Sequence, residues 1–166
     1  MTSLDSVKDQ FDDGIDNFTD EFHDVIKEAA KNCDPDTLET LVSFLDGDVE
    51  WQGSVLRALS GKCAKELNEE QLEAVGKFLF NENPGTRINA TGVLGWNGTW
   101  PNEKLFQALI GEQHEGVRRS MLATALGLAG VPDRQSVKLA MQTTAAGQPI
   151  TRELVEGLIA EHARQA

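Results

Sequence analysis

The residues best suited to metal chemistry form an acidic run near the start of the chain, DQFDDGIDNFTD. With Gly14 placed at the glycine position of a calcium loop, three aspartates occupy ligand positions: Asp9, Asp13 and Asp20. Phe11, however, stands where a ligand oxygen is required, and the whole run lies inside a helical period. We therefore expect a solvated acidic face, with no metal ion and no cofactor.

Two further patterns could support catalysis. The segment SGKC, Ser60 to Cys63, lacks the offset glycine and the hydroxyl residue of a phosphate loop, so it predicts a helix terminus. The histidines are scattered along the chain: His23, His114 and His162. No nucleophile, base and orienting acid adjoin one another, although a fold can assemble such groups from a distance. These patterns favour a protein that is not an enzyme.

The two cysteines, Cys33 and Cys63, have no second thiol or histidine at zinc-ligand spacing. We expect two free, buried or half-buried thiols in a reducing compartment. The first residues, MTSLDSVKDQFDD, lack the basic and apolar regions of a signal peptide. No apolar run approaches the ~18 residues of a membrane span. The prediction is a cytoplasmic protein that does not bind membranes.

The charge balance restricts the class of partner. The chain carries 27 acidic and 15 basic residues, a net charge of −12. Binding to a nucleic-acid backbone requires a basic footprint, which this composition does not provide. A basic protein is the partner that the charge favours, because opposite charges accelerate encounter.

Helical periodicity positions these residues. In PDTLETLVSFLDG, four apolar residues form one stripe of an amphipathic helix: Leu38, Leu41, Val42 and Leu45. Asp34 or Asp36 caps its start, Pro35 occupies the first turn, and Gly47 marks its end. Alternating β-branched runs are almost absent from the sequence. The predicted fold class is all-α.

The helices repeat. Four segments align, beginning at Trp51 (WQGSVLRALSG), Thr86 (TRINATGVLGW), Val117 (VRRSMLATALG) and Thr151 (TRELVEGLIAE). Each follows another amphipathic segment, so the unit is a pair of helices. One pair cannot bury both apolar faces, whereas stacked pairs share a core. The predicted repeats are 34–66, 67–100, 101–131 and 132–166, in one structural domain with an N-terminal cap at 1–33.

The pattern Val117-Arg118…Met121…Ala125-Leu126-Gly127, echoed from Thr86 to Gly95, resembles the second helix of HEAT-like, armadillo-type repeats. The resemblance implies a right-handed α-α superhelix of about four helix pairs. It also implies a ladder between turn residues and arginines that holds neighbouring repeats. The matching turn residues are Asp46, Asn81 and Glu112, and the arginines are Arg87, Arg118 and Arg152. Gln52 in the first repeat and Ala146 in the last depart from this pattern.

The cap differs from the repeats in charge. Residues 1–31 hold nine acids and three bases, half of the net charge of the chain. Their apolar residues recur at helical spacing, and we expect Gly14 and Asn17 to break or kink the helix. An acidic outer face is typical of a terminal capping segment. Its aspartates are candidate partner contacts: Asp12, Asp13 and Asp16.

The other candidate contacts lie near the predicted groove. His114 and Glu115 fall in a turn close to Arg119, which is off the ladder position and therefore available to a partner. LGWNGTWP connects repeats two and three, with Asn97-Gly98 expected to supply positive-φ residues. Trp96 and Trp100 flank this joint, and one of the rings is a candidate aromatic anchor at the groove rim. Trp51 is expected to be buried.

The leading function is a non-enzymatic protein-binding solenoid, an acidic immunity protein that blocks a basic, nuclease-type toxin. The resemblance to HEAT-like repeats is specific for fold and nearly silent on function. The alternatives are an adaptor or assembly factor and, with less support, a HEAT-type lyase or chaperone for a bound chromophore. A DNA glycosylase of this fold requires a basic concave face, which the charge disfavours.

Overall fold

The computed structural model describes residues 3–14, 18–99 and 102–164, and within these ranges all regular structure is helical. Ten α-helices follow in order: α1 Leu4–Asp12, α2 Asp20–Ala29, α3 Pro35–Ser43, α4 Val49–Leu59, α5 Glu69–Gly76, α6 Pro84–Asn97, α7 Asn102–Gly111, α8 Glu115–Leu128, α9 Asp133–Ala145 and α10 Arg152–His162. Short 3-10 turns span Phe44–Asp46, Cys63–Glu66 and Lys77–Phe80. The all-α prediction is confirmed.

None of the helices in the described ranges has both the length and the apolar character needed to cross a bilayer.

Helix ends follow the capping chemistry of the sequence. The Asp34 carboxylate accepts a hydrogen bond from the Thr37 amide at 3.0 Å, and Pro35 opens α3, as predicted. At the end of α6, Gly98 has a φ of +80°, which suits glycine because it has no Cβ. Asn97 is the last residue of the helix and does not share this conformation. The expected pair of positive-φ residues is therefore corrected to Gly98 alone.

Helices α6 and α8 have the most extensive contacts with other helices in the described part of the chain. Helix α6 packs between α4 and α8, and α9 packs against α8. Leu94 on α6 and Leu126 on α8 are fully buried, as the repeat alignment predicts. Gly95 allows close approach of α8, because a Cβ there would lie 3.0 Å from Cγ2 of Thr124. Small residues at this contact allow the two helices to pack closely.

The N-terminal segment forms two helices, α1 and α2, and the predicted break at Gly14 is confirmed by its φ of +73°. Asn17 lies outside the described residues. Both helices pack around Trp51, which is fully buried at the start of α4, as predicted. Its ring is surrounded by four phenylalanine rings with centroids 5.0–5.9 Å away: Phe11, Phe18, Phe22 and Phe44. This aromatic cluster attaches the cap to the first helix pair.

The prediction for the cysteines is wrong. Cys33 follows α2 and Cys63 begins the 3-10 turn after α4, and they form a disulfide with their Cα atoms 5.0 Å apart. Neither sulfur is therefore a free thiol. The bond closes a loop between the cap and the end of the first helix pair. Since disulfides persist in oxidising environments, the cysteines give no support to the expected reducing compartment.

Candidate functional site

Among the predicted ladder residues, Arg87 makes a buried ion pair with Glu112 that joins α6 to the end of α7. Arg87, in the first turn of α6, donates from Nε and Nη2 to the two carboxylate oxygens of Glu112 at 2.6 and 2.8 Å. Its Nη1 donates to the carbonyls of Asn81 and Glu82. The side chains of Arg87 and Glu112 are only 15% and 5% exposed. Such a bidentate, charge-assisted contact fixes the geometry of both helix pairs.

Glu112 is held as a carboxylate. Burial acts to raise the pKa of Glu112, but hydrogen bonds from Arg87 and from the backbone amide of His114 outweigh burial and hold that pKa below its ordinary value. The amides of Gln113 and His114 donate to its Oε1 at 3.0 and 2.8 Å. The hydrogen bonds between Arg87 and Glu112, and from each of them to turn backbone groups, therefore occupy both side chains. Neither is available for a partner.

The remaining ladder residues make different contacts. Arg118 donates to the carbonyl of Gln148 at 2.9 Å. Arg152 donates to Glu103 on α7 at 2.7 Å and lies over the ring of Phe106. Gln52, which replaces the arginine of the first repeat, donates to the Gly47 carbonyl at 2.9 Å.

Two of the predicted turn residues make no ion pair with an arginine. Asp46 is exposed beside the turn that Gln52 contacts. Asn81 contributes its backbone carbonyl to Arg87, while its side chain accepts from the Asn83 amide. Gln52, Arg87 and Arg118 thus donate to backbone carbonyls. Two of the arginines also have an acid partner, Glu112 for Arg87 and Glu103 for Arg152.

Three predicted contact residues lie together at the start of α8. His114 caps the helix, with Nδ1 accepting from the Val117 amide at 3.4 Å. Glu115 and Arg119 follow, their charged atoms 3.9 Å apart and their side chains 67% and 43% exposed. They form a small mixed-charge surface.

Trp96 lies apart from that cluster, at the other end of α6 from Arg87. It is 57% exposed and borders a groove of about 560 Å³ between α6, α8 and α9. Gly92, Gly95 and Gly127 line the groove, and the exposed Val137 faces it from α9. His114, Glu115 and Arg119 do not line this groove, so the predicted contact residues form separate surfaces. Trp100 lies outside the described residues.

The aspartates of the acidic run that the structure describes are exposed. Asp12 pairs with Lys8 at 2.9 Å, one turn earlier on α1, and Asp13 is exposed immediately after the helix. Asp16 lies outside the described residues. Among the residues that the structure describes, no group of three or more histidine, cysteine, aspartate or glutamate side chains is arranged to hold a metal ion.

One pairing was not anticipated from the sequence. The Nδ1 atom of His23 on α2 lies 2.7 Å from Oγ of Ser54 on α4. A histidine in contact with a serine can act as the base that activates the hydroxyl as a nucleophile. Ser54, however, is only 2% exposed. A substrate carbonyl has no path to this hydroxyl in the structure. The pair instead gives a buried hydroxyl its hydrogen-bond partner and joins the cap to the first helix pair.

The acidic residues are unevenly distributed, which the total charge conceals. Residues 1–83 hold 20 acids and seven bases, whereas residues 84–166 hold seven acids and eight bases. Two grooves lie in the acidic half. The first, about 1100 Å³, is lined on α2 by Glu21, Asp24, Val25, Glu28 and Ala29. The second, about 800 Å³, lies between α3 and α5.

No protein-family model, no curated protein and no solved structure matches the chain. Its function is therefore inferred from its own surfaces. The acidic half offers grooves with a defined charge. The Trp96 groove is lined mostly from the other half, including Asp133, with Lys65 as its one lining residue from the acidic half.

Proposed function

We propose that the chain is a non-enzymatic α-solenoid of about four HEAT-like helix pairs, with an N-terminal helical cap and a right-handed superhelical arrangement. Contacts between residues one repeat apart support this architecture. Five such contacts join residues 30–33 positions apart: Cys33–Cys63, His23–Ser54, Asn97–Ala64, Arg118–Gln148 and Lys104–Glu73. A stack of similar helix pairs brings equivalent positions together at this spacing.

The proposed activity is binding of a basic protein, as an acidic inhibitor or immunity protein that covers the basic active site of a nuclease-type toxin. The observation that carries this proposal is the concentration of 20 acids and two grooves in residues 1–83. A localised negative field orients a basic partner and raises its association rate. The same field repels nucleic acids, so the toxin is bound and its substrate is not.

Co-purification from cells that produce the chain tests this function. The immobilised protein is expected to retain a basic protein at low salt and to release it as the salt concentration rises, because salt screens exposed charges. Nuclease activity in the eluted partner, suppressed when the chain is added back, would support the inhibitor role. Retention of only acidic proteins, or a complex indifferent to salt, would contradict it.

The Trp96 groove favours an adaptor as the second candidate function. This groove is lined from α6, α8 and α9 and shares no lining residue with the two acidic grooves. An adaptor requires separate surfaces for two partners. A partner complex that still forms when Trp96→Ala removes the exposed ring, but loses a second protein, would distinguish the adaptor from the simple inhibitor.

A further inference from the structure

Helices α3 and α5 lie side by side and leave a cleft of about 800 Å³ between them. Hydrocarbon side chains form its inner surface: Leu38, Val42, Leu45, Ala74 and Phe78. Leu38 and Leu45 belong to the buried core, while Val42 and Phe78 are partly buried against it. The cleft is thus an opening onto the apolar core of the first two helix pairs, and an apolar ligand surface would bury it further.

Acidic side chains line the cleft on both sides. Glu39 and Asp46 lie along the side formed by α3 and its following turn, and Glu66 and Glu70 lie on the side of α5. Lys77 is the one basic residue among those lining the cleft in the described part of the chain. Carboxylates on either side of an apolar floor match an occupant with an apolar centre and positive charge on both flanks.

This charge pattern selects among the possible occupants. Phosphate groups of lipids or nucleic acids would be repelled by the carboxylates. A second copy of the chain is disfavoured because residues 84–166 carry a net charge of only +1, and three of their arginines are held by repeat contacts. A basic segment of another protein remains as the occupant.

We propose that the α3–α5 cleft binds an amphipathic helix of the partner, with an apolar stripe seated on Val42, Ala74 and Phe78 and lysine or arginine on both flanks. This inference rests on the proposed function and assigns its docking site. Helix α3 has nine residues and is therefore about 14 Å long, so the contact spans two to three turns of the bound helix.

Fluorescence anisotropy with a synthetic peptide tests the site. The probe is a 14-residue helical peptide with leucines on one stripe and lysines on both flanks, and a second peptide carries glutamates in place of the lysines. Neutralising one acid on each side with Glu39→Gln and Glu70→Gln is expected to weaken binding of the lysine peptide about tenfold. The matched control, Asp36→Asn with Glu69→Gln, removes the same charge from the same helices outside the cleft and is expected to change binding less than about twofold.

Equal weakening by both pairs would overturn the site, because binding would then depend on net charge alone. Failure of the lysine peptide to bind, or equal binding of the glutamate peptide, would also overturn it. Failure of the docking site can be distinguished from failure of the proposed function. If the chain captures a basic partner but Glu39→Gln with Glu70→Gln leaves that capture unchanged, the docking site is wrong and the function stands. If no basic partner is captured, the function is wrong even where the peptide binds.

Filling the cleft gives a test without a charge change. Ala74→Trp places a large ring in the cleft and is expected to abolish peptide binding, whereas Ala74→Ser leaves it within about twofold of the native value. Circular dichroism melting verifies that each variant is folded. A folded Ala74→Trp protein that binds the peptide with native affinity would place the peptide elsewhere and overturn the proposal.

Discussion

The two halves of the molecule are both helical but are held together by different means. Residues 1–83 are strongly acidic and are joined by the Cys33–Cys63 disulfide and the aromatic cluster around Trp51. Residues 84–166 are almost neutral, contain no cysteine and connect their turns through Arg87, Arg118 and Arg152.

The contacts in each half correspond to its charge. Crowding 20 acids into one half creates repulsion that opposes folding, and the covalent and aromatic contacts in that half offset it. The neutral half has no such repulsion and is held by packing and ion pairs. The acidic surface thus lies in the half that contains the disulfide and the aromatic cluster.

The largest effect is expected from the aromatic cluster. Trp51→Ala should lower the free energy of unfolding by about 3–5 kcal/mol, because it leaves a cavity among four phenylalanine rings. Trp96→Ala, which removes an exposed ring from the neutral half, should cost less than about 0.5 kcal/mol. Urea unfolding of both variants measures the difference. Similar decreases in the free energy of unfolding for the two variants would contradict the difference between the buried Trp51 and the exposed Trp96.

The disulfide comes next. In the loop-entropy model, opening a loop of 30 residues by Cys33→Ser with Cys63→Ser should cost about 3.5 kcal/mol. Dithiothreitol should destabilise the native protein to a similar extent and leave the double variant unchanged. A native protein whose melting is insensitive to dithiothreitol would show that the bond does not fasten the acidic half.

A smaller effect is expected in the neutral half. Glu112→Gln should cost about 2 kcal/mol, because it leaves the mostly buried Arg87 without its charged partner. Glu103→Gln, which weakens the exposed pair with Arg152, should cost less than about 1 kcal/mol. Equal costs would indicate that burial does not distinguish the two ion pairs.

The contribution of Glu112 should also depend on pH. Its pKa is lower in the folded protein than the ordinary value of 4.5, so folding favours the carboxylate. The stability difference between native protein and Glu112→Gln should be complete above about pH 4.5 and shrink as the pH falls through the folded pKa. Chemical unfolding at pH 7 and at pH 3 measures it, and a difference that grows on acidification would contradict the sign.

The smallest effect is expected at Arg119. Arg119→Glu replaces a 43% exposed side chain whose ion pair with Glu115 is 3.9 Å long, so stability should change by less than about 0.5 kcal/mol. A shift of several degrees in the melting temperature would show that Arg119 contributes to stability through more than its observed contacts.

The periodicity of apolar residues was sufficient to predict the helices and the burial of Leu94, Leu126 and Trp51. Capping chemistry restricted the start of α3 to Asp34 or Asp36, and Asp34 is the cap. Helical periodicity does not relate the two cysteines to each other, so it did not predict their disulfide. Their separation of 30 residues is close to one repeat, and applying that period would have placed Cys33 beside Cys63. The same period relates His23 to Ser54.

The candidate surfaces were less accessible to sequence reasoning. A groove depends on the distance between packed helices. The sequences of α3 and α5, each taken alone, do not determine that distance. One ring of Trp96 and Trp100 was expected at the groove rim, and Trp96 is 57% exposed. The separation of Trp96 from Arg119 depends on helix length and register. The division of charge between the halves could have been counted directly, whereas the total of −12 alone concealed it.

The acidic half is proposed to bind a basic partner, and one co-purification with three versions of the protein tests this. The baits are the native chain, a variant with Asp24, Glu39, Glu66 and Glu70 changed to their amides, and a variant with Glu115, Asp133, Glu153 and Glu161 changed in the same way. We predict that the native chain and the second variant retain a basic protein at low salt and that the first variant loses it. Equal retention by the two variants, or no basic protein on the native chain, would contradict the account.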